Sequence, residues 1–154
     1  MKNVWRIGAW FVVTLLVLFV AAVVAAYFSV RASLPRLDGD INATGFKASV
    51  TATRDHQGTV TITAKDALDA MRALGFIHAQ ERFFEMDLAR RAAAGELSAL
   101  LGEATIKIDK DKRRHRLRAR MAAQWQQFSN EDREWISVYT QGVNAGLSAL
   151  AARP

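Results

Sequence analysis

Three histidines are the first candidates for metal binding or proton transfer, and their positions argue against both. His56, His78 and His115 are far apart, and none stands three or four residues from another. No helix face can therefore present a histidine pair to a metal. His78 follows Phe76 and Ile77 in an apolar run, the setting of a structural histidine. The carboxylates Glu81, Glu85 and Asp87 are interleaved with Arg82, Arg90 and Arg91. Glu81 and Glu85 form an i,i+4 like-charge pair, mildly unfavourable alone. Arg82 lies between them and is free to bridge to another element. Internal ion pairs that fix helix packing account for this cluster. A general acid–base pair would need further groups that nothing nearby supplies. Seven serines are present, but none follows a glycine and none lies in Gly-x-Ser-x-Gly. Neither a phosphate loop nor a dinucleotide fingerprint occurs. The absence of cysteine excludes disulfides, thiolate metal sites and a cysteine nucleophile. It is compatible with an oxidising envelope compartment. No residue of this chain is assigned as catalytic, substrate-binding or metal-ligating.

Charge is local. The net charge is +6, and Lys107–Arg120 alone carries eight Lys/Arg against Asp109 and Asp111. Lys2 and Arg6 add to the positive total, so the remainder is slightly acidic. The basic stretch lacks the interleaved aromatics of a single-strand binder, and nucleic acid is not expected as a partner. A solvated helix face, a face whose acidic partners lie in other sequence, and a contact with anionic lipid are the remaining readings.

The elements follow from periodicity. Lys47–Arg54 alternates, with Val50, Ala52 and Arg54 on one face. Thr59–Ala64 alternates again, with Val60, Ile62 and Ala64 together. Asp55-His56-Gln57-Gly58 between them predicts a β-hairpin with a four-residue loop. Asp66 is the candidate N-cap for a helix through Leu68, Met71, Arg72 and Leu74, with Gly75 a candidate interruption. Phe76, Ile77, Ala79, Phe83, Phe84 and Leu88 then form a wide apolar face, wider than a small helical set can cover. Gly95, after Arg90 and Arg91, ends this helix. Glu96–Leu101 reads as a short helix stopped by Gly102. Asp111–Phe128 reads as one helix with the stripe Leu117, Met121, Trp125 and Phe128. Ser129 with Asp132 resembles a cap. The last helix shows Trp135, Val138, Tyr139, Val143, Leu147 and Leu150, with Gly142 and Gly146 spaced for close helix approach.

Upstream, Ile7–Val30 is an uncharged run of 24 residues. As a helix it would be about 36 Å long, against a bilayer core of about 30 Å. It reads as a transmembrane helix with lipid as its partner. Trp5, Trp10 and Tyr27 suit the interfaces, and Lys2 and Arg6 favour an inside N-terminus, although Arg31 and Arg36 blur the asymmetry. A cleaved signal peptide would have a shorter apolar region and small residues where Tyr27 and Phe28 stand. The expected organisation is a cytoplasmic tail over 1–6, a transmembrane helix over 7–30, a linker over 31–45 and a globular part over 46–154. The fold class is α+β and mostly helical: a transmembrane helix, a β-hairpin, then helices. The expected location is the cytoplasmic membrane, single-pass, with the domain on the extracytoplasmic side.

One block is more specific than its chemistry. Ala73-Leu74-Gly75-Phe76-Ile77-His78-Ala79-Gln80-Glu81-Arg82-Phe83-Phe84-Glu85-Met86-Asp87-Leu88-Ala89-Arg90-Arg91, then Gly95-Glu96-Leu97 and Leu101-Gly102, resembles the penicillin acylase family. That family reads close to Gly-Tyr-x-His-Ala-Gln-Asp-Arg-Leu-Phe-Gln-Met-Glu-x-x-Arg-Arg, followed by Gly-x-Leu-(x)-Glu-x-Leu-Gly. The flanks agree. Val50–Gly58 is similar to its Val-x-Arg-Asp-x-x-Gly strand and turn, Asp109–Arg114 to its Asp-x-x-x-Arg, and Tyr139–Leu147 to its Tyr-x-x-Gly-x-Asn-Ala helix. The resemblance runs from about Lys47 to Leu150, in order. It departs at Gly58-Thr59-Val60-Thr61-Ile62, where the family has Gly-Val-Pro-His-Ile; the strand is expected to survive.

The resemblance implies an exported precursor (a zymogen) of the N-terminal-nucleophile hydrolases, which cleaves itself into a smaller α chain and a larger β chain. The β chain begins with a serine whose free α-amine is the base. Substrates are linear amides such as β-lactam side chains and acyl-homoserine lactones. The implied fold is a four-layer αββα sandwich, with calcium possible in the intact enzyme. Only the first part of the α chain is matched here. The nucleophile, the oxyanion groups, the acyl pocket and the calcium ligand would lie beyond Pro154, and the missing β chain is the implied partner. Arg82, Arg90 and Arg91 match family positions and read as structural. This chain alone is expected to be inactive. Two other readings are a non-enzymatic, membrane-anchored helical interaction module and an inactive truncated remnant.

Overall fold

The computed structural model describes residues 2–34 and 37–151. It divides into two units, one built on the N-terminal helix and one comprising Asp40–Ala149. Pro35 and Arg36, part of the expected linker and of the charge pattern beside the apolar run, lie outside the described residues, as do the side chains of Lys2 and Trp5.

The first unit contains helix α1 (Lys2–Ser33). Within it, Trp10–Arg31, 22 residues, is long and apolar enough to cross a membrane. That length is about 33 Å as a helix. Every side chain from Trp10 to Arg31 is exposed, which no core helix of a soluble domain would tolerate. A signal sequence would meet the same test of length and composition. The helix begins before Ile7 and runs past Val30. Its ends are polar, with Arg31 in the last turn donating to the Tyr27 hydroxyl at 3.2 Å.

The second unit opens with the hairpin β1 (Thr51–Arg54) and β2 (Val60–Thr63), antiparallel with Ala52 opposite Ile62 and Arg54 opposite Val60. Asp55 builds the turn. Its carboxylate accepts the N–H groups of Gln57 and Thr59 at 2.9 and 2.8 Å, and Gly58 takes φ 83°. Val60, Ile62 and Ala64 are half-buried while the threonines between them are exposed, so the alternation read from the residues places one face inward. The first strand is shorter than expected. Lys47 and Ala48 are not paired in the sheet, because both donate their backbone N–H to Asp69 instead.

Helix α2 (Ala67–Ala94) starts where expected: Asp66 is extended and accepts from Leu68 N–H at 2.7 Å and Asp69 N–H at 3.3 Å. It ends at Gly95, φ 71°, with Glu96 N–H reaching back to the Arg91 carbonyl at 2.9 Å. A left-handed residue closing the last turn in this way is the usual glycine stop. Gly75 does not interrupt the helix. The local departure from helical geometry is at Arg82 (φ −135°, ψ 17°). Gly75 serves packing: a Cβ there would lie 2.2 Å from the Tyr139 carbonyl oxygen of helix α6 (Asn130–Ala151). Gly142 and Gly146 face the reverse way, with Cβ positions 2.0 Å from the Arg72 carbonyl and 2.5 Å from the Phe76 carbonyl. Three glycines thus let the backbones of α2 and α6 touch. Around this contact sit the buried side chains Ala73, Phe76, Ala79 and Val138. Ser129 caps α6, accepting from Asp132 N–H at 3.0 Å.

Between these helices lie the short α3 (Ser98–Leu101), a tight turn over Glu103–Thr105, α4 (Ile106–Arg114) and α5 (Leu117–Gln124), closed by another tight turn over Trp125–Gln127. The single helix expected over Asp111–Phe128 is therefore two helices. His115 and Arg116 bond back by three residues, and Arg116 adopts φ 51°. The physical reason is the lack of a packed stripe. Residues 106–124 are exposed throughout except Asp109, so no burial favours a continuous helix.

Candidate functional site

The residues with chemical potential do not converge. His56 and His115 are exposed, on the hairpin turn and after α4. His78 lies against Tyr139: Nδ1 and the phenolic oxygen are 3.0 Å apart, and the rings meet edge to face. Burial pushes the Tyr139 hydroxyl above its usual value of 10.0. This pair links α2 to α6. Among the described side chains, no serine or threonine hydroxyl hydrogen-bonds a histidine, so the arrangement supplies no activated nucleophile.

The carboxylate–arginine cluster resolves into separate ion pairs. Glu81, and not Arg82, makes the bridge to another element: it pairs with Arg54 of β1 and ties the hairpin to α2. Among the described residues Arg82 pairs only with Glu85, at 3.8 Å and in solvent. Asp87 accepts from both Arg91 and Arg90 at 2.6 Å. The Arg91 hydrogen bond first, then that of Arg90, holds its carboxyl below the usual 3.8.

Two buried carboxylates carry more of the architecture than any of these. Asp69, 2% exposed, accepts Lys47 N–H at 3.1 Å on both oxygens and Ala48 N–H at 3.1 Å on one. It thereby seats the segment entering the hairpin on α2. Arg72, one turn on, lies over the Phe46 ring at 5.8 Å and donates to Gln141 of α6 at 2.5 Å. Asp109, 3% exposed, caps the start of α3, accepting Leu97 N–H at 2.9 Å and Ser98 N–H at 2.7 Å. Burial pushes the Asp109 carboxyl up, but hydrogen bonds from Ser98 and Leu97 and the Arg113 charge outweigh it and hold the group below 3.8. Arg113 Nε donates to the Gly95 carbonyl at 2.7 Å, and a Cβ on Gly95 would strike Arg113 Cγ at 2.6 Å. The Asp109–Arg113 pair thus clamps the loop after α2 onto α4. Arg118 of α5 adds a two-pronged bond to Glu96 at 2.5 and 2.9 Å.

Asp109 stands in the sequence only as the start of the Asp-x-x-x-Arg resemblance, and Asp69 is not among the sequence candidates. A signal existed for Asp69. It shares the helical face of Ala73, Phe76 and Ala79, and a carboxylate on a core face must find donors. Calcium, implied by the resemblance, does not fit the described residues. No group of three or more His, Asp or Glu side chains converges there, and the oxygens of Asp69 and Asp109 are engaged by backbone N–H groups.

The other prominent feature is uncovered apolar surface. Phe84 is 64% exposed and Met121 51%, and Phe83, Leu100, Leu101 and Ile108 are exposed too. The apolar face of α2 is buried at Phe76 and half-buried at Leu88, but Phe83 and Phe84, just past the irregular turn at Arg82, are exposed. Where such side chains form one large patch, they mark an interaction surface.

A family model described as penicillin amidase matches residues 49–154. Among curated proteins, the chain is 36% identical over 126 residues to a penicillin acylase 2 proenzyme from Pseudomonas sp. (strain SE83), covering 82% of this chain and 16% of that protein. It is 32% identical over 115 residues to the acyl-homoserine lactone acylase QuiP of Pseudomonas aeruginosa, covering 75% of this chain and 14% of that one. Among solved structures, it is similar to a thermostable penicillin G acylase from Alcaligenes faecalis, with TM-score 0.61 and 32% identity over 69% of this chain and 56% of that one. The chain thus spans only a small part of the curated relatives it matches. The matched region contains the hairpin, the capped α2, the clamp on α4 and the glycine contact with α6, and on this ground the chain belongs to the penicillin amidase family.

Proposed function

We propose that this chain is the N-terminal part of a membrane-anchored amidohydrolase precursor that cleaves linear amides through an acyl-enzyme. The observation that carries the reading is the extent of the match: residues 49–154 fit the family, yet the aligned region is 16% of a curated proenzyme. The comparable share of the solved acylase chain is 56%, so that chain is far shorter than the proenzyme. This supports division of the precursor into a small chain that contains this region and a larger partner. The nucleophile, its amine base and any calcium are then supplied by sequence outside this chain. The uncovered side chains of Phe83, Phe84, Leu100 and Leu101 support the same reading, since they need layers that these helices do not provide.

In this account α1 is a signal-anchor crossing the cytoplasmic membrane with its N-terminus inside, and the working boundaries are 1–6, 7–30, 31–45 and 46–154. The domain works on the extracytoplasmic side. Acyl-homoserine lactones and β-lactam side chains are the candidate substrate classes, by analogy with the relatives' names. The role of this chain is to carry the anchor and to brace the core that holds the partner's nucleophile. The test is expression of the gene product with its downstream sequence, followed by N-terminal sequencing of the processed chains and assay against phenylacetyl and long-chain acyl amides. A new N-terminal serine and turnover are expected. An unprocessed, inactive product would count against the reading.

A further inference from the structure

We infer that the exposed α4–α5 surface is a docking face for the anionic phospholipid headgroups of the membrane that α1 enters, an inference that rests on the anchor reading. Every residue of Lys107–Arg120 except Asp109 is exposed, and this stretch holds eight of the chain's cations. Its two acids do little to neutralise it. Asp109 is turned inward onto backbone N–H groups, and among the described residues Asp111 reaches only Arg114, at 3.8 Å. Arg118 is paired with Glu96 and Arg113 bonds the Gly95 carbonyl. Lys107, Lys110, Lys112, Arg116 and Arg120 make no ion pair among the described residues.

Apolar side chains are interleaved with these cations: Ile106, Ile108, Leu117 and Met121 are each about 40–50% exposed. Cations beside exposed aliphatic groups on short helices are the chemistry of an interfacial membrane contact. The cations meet headgroups while the aliphatic groups enter the acyl boundary, and polybasic surfaces are attracted to anionic leaflets in this way. Arg116, at φ 51°, lies between the two helices in the chain and is exposed. Nucleic acid is a poor fit, because Lys107–Arg120 contains no Phe, Tyr or Trp on which successive bases would stack.

The experiment uses the full chain in lipid nanodiscs of phosphatidylcholine, with or without phosphatidylglycerol. The chain has no cysteine, so Met121→Cys gives a single thiol for a charged, water-soluble maleimide. Labelling is expected to be at least about tenfold slower in anionic discs than in neutral ones. The difference should vanish at about 1 M salt, where the screening length falls to about 3 Å. Replacing Lys107, Lys110, Lys112 and Arg120 with Gln removes about fivefold in docking per cation, and labelling should then be as fast as in neutral discs. Exchanging the same lysines for Arg and Arg120 for Lys should keep the protection, which separates charge from misfolding. Equal labelling in both discs would overturn the inference, leaving the anchor intact. Protection equal in neutral and anionic discs and insensitive to salt, seen only when the downstream part of the precursor is present, would assign the face to a protein partner and overturn it too. Failure of the chain to co-elute with the discs would overturn the anchor itself, and this inference with it.

Discussion

Replacing Gly142 with alanine tests the tightest contact in the fold. In a helix interior the change favours folding by about 1 kcal/mol, because alanine is the better helix former. The structure reverses that sign. The added Cβ would sit 2.0 Å from the Arg72 carbonyl oxygen and 3.1 Å from Phe76 N, both backbone atoms of α2. Backbone in the middle of a capped helix cannot swing aside as a lysine tip would, so α2 and α6 must part by roughly 1 Å. That separation loosens the contacts of Phe76, Ala79 and Val138, the buried centre of this unit. Overpacking of this kind costs about 1–3 kcal/mol and more where nothing yields. Net destabilisation of about 2 kcal/mol is expected, a fall of about 10 °C in the unfolding midpoint for a unit of this size. The assay is thermal unfolding of the chain in nanodiscs, with hydrogen exchange of the α2 and α6 amides read alongside. Ser148→Ala is the control: that hydroxyl is exposed and bonds only the Asn144 carbonyl of its own helix, so the midpoint should hold or rise slightly. A Gly142→Ala midpoint equal to or above that of the parent would refute the close approach.

Asp69→Ala should cost about 3 kcal/mol, because it strands the Lys47 and Ala48 N–H groups; exchange at those two amides should accelerate before exchange in β2 does. The carboxyls of Asp55, Asp66, Asp87 and Asp109 are all held below 3.8 in the folded chain. The contribution of each is complete above the unfolded value and lost as pH falls through the lower folded value, so unfolding midpoints should be flat above about pH 5 and drop below about pH 4. Replacing Asp87 with Asn should shrink that acid-side drop, and a drop of unchanged size would remove Asp87 from the account. A reporter fused after residue 149 should be active only if it works outside the cytoplasm, and activity of a cytoplasm-only reporter would contradict both the proposed topology and an exported hydrolase.

Much of this fold was legible because the signals were local. The Val60–Ile62–Ala64 alternation and the Asp55–Gly58 turn specify the hairpin without reference to anything distant. Asp66 and Gly95 mark the ends of α2 by their own side-chain and backbone chemistry. The four-residue spacing of Gly142 and Gly146 announced a close helix contact, although Gly75, its counterpart on α2, looked like an interruption. What could not be read depends on tertiary partners. Lys47–Val50 alternates like a strand, yet Asp69, some twenty residues later, takes the N–H groups a strand would use. The stripe from Leu117 to Phe128 is sound helical periodicity, but Leu117 and Met121 in its first half are not buried, and the chain breaks at Arg116 without a glycine or proline to mark it. The Arg54–Glu81 bridge was equally hidden, since any of several carboxylates on α2 had the right charge and only the fold selects one. The candidate site was thinner still. The histidines and serines read as isolated, and among the described residues the structure pairs His78 with Tyr139 on a helix contact, while the serines bond within their own helix or its cap.

The central claim is that this chain supports a catalytic centre whose reacting groups lie in other sequence. It is tested most directly by measuring amide hydrolysis by the purified chain, against phenylacetyl and long-chain acyl amides, beside the product of the same gene expressed with its downstream sequence. No turnover above buffer is expected from this chain, and turnover is expected from the longer, processed product, lost when the new N-terminal serine is changed to alanine. Turnover by this chain alone, abolished by replacing one of its own serines or threonines, would contradict it.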